Sequence, residues 1–225
     1  RQGWMMAHQA HKYPGFGFLS ENSKFAALCE KCNIAFIGPS ARTIEETGNK
    51  SEARNAMVRA GVPVIPGTKE PIFTAEAGRK FADEIGYPVM IKAALGGGGK
   101  GMRLSQTAED FLENFKVAQL EAIRGFGDDS MYIEKYIEEP KHIEFQILAD
   151  KFGNVVQLGE RDCSIQRNHQ KVIEESPSSV LDETLRKEMG SAAVRAAKAA
   201  AYENAGTIEF LLDKQKHYYF MEMNT

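Results

Sequence analysis

"PVMIKAALGGGGKGMRLS", residues 88–105, sets four consecutive glycines between an apolar run carrying Lys92 and a second lysine, Lys100. Glycine has no Cβ, so successive backbone N–H groups can close on an oxyanion, and the stretch reads as a phosphate-holding device. Three known devices compete for it. A Walker loop requires G-x-x-x-x-G-K-[ST], whereas Ala94 stands at the first glycine position and Gly101 follows Lys100. Gly96-x-Gly98-x-x-Gly101 matches the dinucleotide fingerprint, but that fold needs a helix immediately afterwards, and "MRLSQT" is strand-like. Protein kinases carry their nucleotide lysine on the strand after the flap and add H-R-D and D-F-G strings, both absent here. What remains is a strand, a glycine flap and a returning strand, with Lys92 on the first strand poised for an anion.

The flanks supply the rest of the fold. "TAEAGRKFADEIG" predicts a helix with Thr74 as N-cap and Gly86 at its end. "TAEDFLENFKVAQLEAIRG" is a long amphipathic helix with Phe111, Phe115, Ala118 and Ala122 on one stripe. "MYIEKYI", "HIEFQILAD" and "VVQLGERDCSIQ" read as strands, with "DKFGN" as a hairpin turn. An alanine-rich helix is expected from about Leu181 to Asn204, closed by Gly206. Upstream, Ser20 or Asn22 caps a helix in "SENSKFAALCEKCN", "IAFIG" is a short buried strand, and a helix over roughly 50–60 ends at Gly61 before an extended "VPVIP". "RQGWMMAHQAHKY" has no period, and His8 and His11 make a poor metal site without further partners. Helices and strand clusters alternate without repeats, so the fold class is α/β or α+β.

The last two strands carry acidic residues. "TIEFLL" places Thr207, Glu209 and Leu211 on one face, and "YYFMEMNT" places Phe220, Glu222 and Asn224 on one face. A hairpin closing through "DKQK" brings Glu209 opposite Glu222. Facing carboxylates repel unless a divalent cation sits between them, and carboxylates with an amide oxygen are the hard ligands magnesium takes. Lysines over phosphates and carboxylates on magnesium describe a nucleotide-dependent phosphoryl-transfer site.

The totals bound the function. In 225 residues, 43% hydrophobic, 28 basic and 31 acidic side chains are interspersed to a net charge of −3, which favours neither nucleic acid nor an anionic membrane. No stretch approaches the roughly 18 apolar residues of a membrane span and no signal peptide is recognisable, so the expected compartment is the cytoplasm. Cys29, Cys32 and Cys163 do not make a disulfide framework, and the C-x-x-C of the first two has no second pair to complete a zinc site. Cys163, in "ERDCS", reads as a buried structural thiol.

Taken together, the chain resembles the biotin carboxylases, members of the ATP-grasp superfamily. The matching strings are "PGFGFLSEN", "FIGPS", "GNKSEAR", "AGVPVIPG", "YPVMIKAALGGGGKGMR", "EKYIEEPKHIEFQILAD", "ERDCSIQRNHQKVIEESPS", "GTIEFL" and "FMEMNT", in family order from about residue 14 onward. The resemblance implies an ATP-grasp fold with residues 1–49 as a remnant of an N-terminal parallel-sheet domain. Residues 50–225 would form the ATP-grasp domain, with a lid over about 64–136 and part of an antiparallel-sheet subdomain over 137–225. It implies ATP-dependent carboxylation of biotin by bicarbonate through carboxyphosphate. By the same resemblance Lys50 and Lys92 contact the ATP phosphates, Gly98 and Gly99 belong to the flap, and Glu134, Lys135, Tyr136 and Ile137 receive the adenine. His142, Gln166 and His169 correspond to nucleotide contacts, Lys171 to the lysine holding bicarbonate, and Glu209, Glu222 and Asn224 to the ligands of Mg²⁺ or Mn²⁺.

Implied partners are a biotin carboxyl carrier protein and a carboxyltransferase, with a homodimeric parent, and an acetyl-CoA carboxylase of fatty acid biosynthesis is the preferred context. The chain departs from the family in three places. Tyr13 stands where histidine is usual, Asn168 where arginine is common, and the family's arginine and Gln-Val-Glu-His string do not follow "EMNT". The expectation is therefore a fragment with weak or no carboxylation of its own. The alternatives are another ATP-grasp ligase, such as a carbamoyl-phosphate synthetase, and a non-catalytic nucleotide-binding module.

Overall fold

A computed structural model of the chain describes residues 10–12, 19–48, 50–94, 101–167 and 170–224. In order these form β1 (Ala10–Lys12), α1 (Ser23–Lys31), β2 (Ile34–Phe36), α2 (Ala41–Gly48), α3 (Lys50–Arg59), α4 (Ala75–Ile85), β3 (Val89–Ala93), β4 (Met102–Ser105), α5 (Ala108–Phe126) and β5 (Met131–Lys135). There follow β6 (Lys141–Ala149), β7 (Val155–Arg167), β8 (Gln170–Glu175), α6 (Glu183–Ala199), β9 (Asn204–Leu212) and β10 (Tyr218–Asn224). The mixed helix and antiparallel-sheet architecture is of the α/β class. Two units result, one of residues 65–138 and one of residues 1–64 with 139–225.

The 65–138 unit is an antiparallel sheet, β4-β3-β5, under two helices. Thr74 caps α4 by accepting from the Ala77 N–H, and Gly86 ends it at φ +76°, a conformation that suits glycine. The stripe read from sequence on α5 is the buried one: Phe111, Phe115, Ala118 and Ala122 are all 0% exposed. They pack with Val89, Ile91, Met131 and Ile133 of the sheet. Each buried phenylalanine contributes roughly 1.5–3 kcal/mol. Gly78 of α4 lets these rings close in, since a Cβ there would lie 2.9 Å from Ile133 and 3.1 Å from each ring. The predicted strand and returning strand are β3 and β4, paired from Val89↔Ser105 to Lys92↔Met102, with Gly101 at φ +68°. Gly96 to Gly99 and Lys100 lie outside the described residues.

The other unit is built on the five-stranded antiparallel sheet β10-β9-β6-β7-β8. Period-two alternation gives it one apolar face, with Ile143, Phe145 and Ile147 of β6 and Ile208, Phe210 and Leu212 of β9 buried with Met189, Ala192, Ala193, Ala196 and Ala197 of α6. Glu160 of β7 is buried at the edge of this core, accepting from the Arg186 Nε at 2.8 Å and the Ser178 N–H at 3.1 Å. The same unit contains the parallel pair β1–β2, whose first strand lies in a stretch the sequence left uninterpreted. Among the described residues no helix is long and apolar enough to cross a membrane.

Several local expectations need correction. The helix α2 precedes the expected helix over 50–60, and β8 is a strand that the polar "QKVIEE" did not announce. Strand β2 is half-buried, not buried. Helix α6 begins at the Asp182 cap and stops at Ala199, short of Asn204. Its end is a Schellman closure: Ala201 takes φ +47° and the Tyr202 N–H donates to the Ala197 carbonyl at 3.0 Å. Gly206, expected to close the helix, lies inside β9. Phe220 does not share a face with Glu222 and Asn224. A bulge between Phe220 and Glu222 leaves Phe220 in the core, paired with Phe210, and sets Glu222 and Asn224 on the other face while Met223 packs against the core.

Candidate active site

The face of the five-stranded sheet opposite α6 is polar, and its residues come from the same alternation that builds the core. His142, Glu144 and Gln146 interleave with Ile143, Phe145 and Ile147 along β6. Register then sets a transverse row: Glu222 lies opposite Glu209, Glu209 opposite Glu144, and Glu144 opposite Arg161. Three carboxylates side by side repel across strands. The bulge in β10 is what completes the row, because the unbroken register of Phe220↔Phe210 would set Met221, not Glu222, against Glu209.

Cations and donors converge to offset that repulsion. Lys171, from the edge strand β8, reaches past β7 to Glu144 Oε2 at 2.5 Å and Glu209 Oε1 at 2.6 Å. Arg161 holds Glu144 Oε1 at 2.5 Å, Gln146 Oε1 at 3.0 Å and Glu174 at 3.6 Å. His142 Nε2 bonds Glu209 Oε2. Gln166 Nε2 lies 2.8 Å from both His142 Nδ1 and the Cys163 carbonyl, and it donates to the carbonyl.

These contacts set the charges. Burial pushes the Glu209 carboxyl up, but hydrogen bonds from His142 and Lys171, with the charges of the same two groups, outweigh it and hold the group at about 2. Burial pushes Lys171 down, and the hydrogen bonds and charges of Glu144 and Glu209 outweigh that, leaving it above the ordinary lysine range. Lys171 is therefore a fixed cation at neutral pH.

Glu222 and Asn224 form the other end of the row. The Asn224 amide bonds Glu209 Oε1 at 2.7 Å and Glu222 Oε1 at 3.3 Å. Among the described residues Glu222 has no cationic partner. Two carboxylates across one strand pair with an amide whose oxygen and nitrogen exchange by a half-turn is a donor set that fits a hard divalent cation.

The 65–138 unit, taken by itself, carries a second group of sequence-predicted residues. Lys92 of β3 is ion-paired to Glu134 of β5. The Lys135 side chain donates to the carbonyls of Gly86 at 3.0 Å and Tyr87 at 2.7 Å, closing the end of α4. The N–H groups of Lys135 and Tyr136 are taken by Pro66 and Pro88, while that of Ile137 meets no acceptor among the described residues. Lys50 opens α3, and its side chain is not described. Gly98, Gly99, Asn168 and His169 lie outside the described residues.

Sequence reasoning missed Glu144, Gln146 and Arg161. The signal was present for the first two, in the alternation of "HIEFQI" with His142 already singled out. Cys163 is 0% exposed, and burial, then the Glu144 charge, pushes its thiol up to about 12. Glu144, Cys163 and Glu174 each bring a donor atom within 4.8 Å of the others, but Arg161 already occupies both carboxylates. Cys29 is buried, Cys32 exposed, and both are free thiols.

Comparison with known proteins agrees with this architecture. Residues 49–225 match the family model of the carbamoyl-phosphate synthase L chain ATP-binding domain, and residues 5–44 that of the biotin carboxylase N-terminal domain. The chain is 57% identical to the biotin carboxylase of Nostoc sp. and 54% identical to biotin carboxylase 1 of Bacillus subtilis, over 95% of its length and 48% of theirs. It thus spans about half the length of these curated relatives. A crystal structure of a biotin carboxylase–β-γ-ATP complex from Campylobacter jejuni is 54% identical with a TM-score of 0.81, covering 96% of this chain and 48% of that one. The biotin carboxylase domain dimer of Hydrogenobacter thermophilus 2-oxoglutarate carboxylase, in complex with MgADP, ADP and bicarbonate, is 49% identical with a TM-score of 0.79 and equal coverage. Ordered motifs, a carboxylate row capped by lysine, and identity above one half lead to one assignment: the chain belongs to the biotin carboxylase family of ATP-grasp ligases.

Proposed function

We propose that the complete protein carboxylates biotin on a biotin carboxyl carrier protein, using ATP and bicarbonate, as the first half-reaction of a biotin-dependent carboxylase. The observation that carries the reading is Lys171 held between Glu144 and Glu209 in a row whose outer end, Glu222 with Asn224, has no cationic partner among the described residues. Bicarbonate is a poor nucleophile, so a fixed ammonium that orients it toward the γ-phosphorus lowers the barrier by positioning. Lys171 fills that role by exchanging its carboxylate partners for the anion. Magnesium, held by Glu209, Glu222 and Asn224, would spread the charge of the transferring phosphoryl group.

Lys50 and Lys92 bind the ATP phosphates, with Lys92 leaving Glu134 to do so, and the flap residues Gly98 and Gly99 exclude water. Residues 134–137 receive the adenine, the Ile137 N–H, which meets no acceptor among the described residues, serving as donor, while His142, Gln166 and His169 contact the nucleotide. The Lys135 ammonium stays on the end of α4. An acetyl-CoA carboxylase of cytoplasmic fatty acid synthesis, with a carboxyltransferase as further partner and a homodimeric carboxylase, is the context we favour. In support, identity to biotin carboxylases named as such reaches 57%, against 50% for a 2-oxoglutarate carboxylase small subunit and 48% for a pyruvate carboxylase.

The test is ATP hydrolysis by the complete protein. The reading expects hydrolysis that needs bicarbonate and is stimulated by free biotin, and that falls on the order of a hundredfold in Lys171→Ala. No stimulation by biotin, with strong activity on a different carboxylate substrate, would assign the protein to another ATP-grasp reaction.

A further inference from the structure

Strand β9 has no room for a side chain at Gly206. A Cβ there would lie 1.9 Å from the Tyr202 hydroxyl and 2.7 Å from the Asn224 carbonyl oxygen. The space is used by Tyr202, from the turn between α6 and β9, whose ring is 3% exposed within the core. Its hydroxyl reaches across β9 to the Asn224 carbonyl at 3.1 Å and the Ala205 carbonyl at 3.2 Å. The turn itself is anchored. The Tyr202 N–H closes α6 on Ala197, the Thr43 hydroxyl lies 3.3 Å from the carbonyls of Ala200 and Ala201, and the Asn204 amide donates to the Gly38 carbonyl at 3.0 Å.

The bulge gives this tie its importance. Strand β10 keeps one register with β9 from Tyr218 to Phe220 and another from Glu222 to Asn224. A bulged strand bends and loses pairing locally, so the first register does not dictate where the residues beyond the bulge fall. The Tyr202 hydroxyl is a fixed point beyond it, on the backbone of Asn224.

We propose that Tyr202 is a positioning residue for the metal site: by holding the Asn224 carbonyl through the gap at Gly206, it keeps Glu222 and Asn224 in register with Glu209. The inference rests on the reading of Glu209, Glu222 and Asn224 as metal ligands. Tyr202 acts through Asn224 and touches no reacting atom. Groups that orient the ligands of a metal typically matter by 10- to 100-fold in affinity.

The experiment measures Mn²⁺ affinity of the ADP complex of the complete protein by electron paramagnetic resonance, for wild type, Tyr202→Phe, Tyr202→4-aminophenylalanine and Glu222→Gln. Metal-free ADP binding and melting temperature are measured alongside. Tyr202→Phe keeps the buried ring and is expected to weaken Mn²⁺ on the order of tenfold, with metal-free ADP binding unchanged. Tyr202→4-aminophenylalanine restores a donor and is expected to recover most of the loss. Mn²⁺ affinity within twofold of wild type in Tyr202→Phe overturns the proposal. So does an equal loss in both Tyr202 variants, which would make the effect one of packing. Unchanged Mn²⁺ binding in Glu222→Gln would instead remove the metal assignment on which the proposal stands.

Discussion

Replacing Glu209 by glutamine tests the electrostatics of the sheet face directly. The folded chain holds this carboxyl at about 2, against an ordinary 4.5. At 1.36 kcal/mol for each tenfold change in acidity, the difference corresponds to about 3 kcal/mol of folding stability. The sign follows from the direction: a carboxyl more acidic when folded contributes fully above its unfolded value. That contribution is present above pH 4.5 and is lost as the pH falls from 4.5 toward 2. Glu209→Gln lacks it at every pH and leaves Lys171 and His142 with one partner fewer. At pH 7 the variant should be about 3 kcal/mol less stable, and its stability should fall less steeply between pH 4.5 and 2.5. Urea unfolding followed by far-UV circular dichroism, at intervals from pH 7 to 2.5, measures both quantities. Parallel stability curves for wild type and variant across the acid range would refute the reasoning, because the acid loss would then arise elsewhere.

Phe115→Ala should destabilise the 65–138 unit by about 3–5 kcal/mol, since this α5 ring is fully buried in the core of the unit, beside Gly78 of α4 and Phe111; calorimetric unfolding of the variant checks this, and a loss below about 1 kcal/mol would contradict the packing described. Native protein treated with iodoacetamide at pH 8 should carry one adduct, on exposed Cys32, and three after unfolding. Mass spectrometry that found Cys163 alkylated in the native state would contradict a thiol held at about 12 with no exposed surface.

Some elements were legible because their causes are local. Thr74 caps a helix whose third residue it can reach, Gly86 accepts a backbone angle other residues resist, and the Phe111, Phe115, Ala118, Ala122 stripe follows from 3.6 residues per turn. The facing of Glu209 and Glu222 was legible too, although the route was not. Simple alternation put Phe220 beside Glu222, whereas the bulge separates them and creates the facing pair. Helix α2 and strand β8 went unread because the polar stretches that form them carry no apolar period to announce them.

What the sequence by itself determined is the fold class, most elements and the kinds of group the chemistry needs. Those follow from periodicity, capping and turn residues, each set within a few positions along the chain. Tertiary structure alone decided which groups meet. That Lys171 on an edge strand spans β7 to reach Glu144 and Glu209 depends on register across four strands, and that Gly206 is a gap in β9 rather than a helix end depends on Tyr202 filling it. Strand register and cross-strand contact are set by the joint packing of residues far apart in sequence, so no local pattern encodes them.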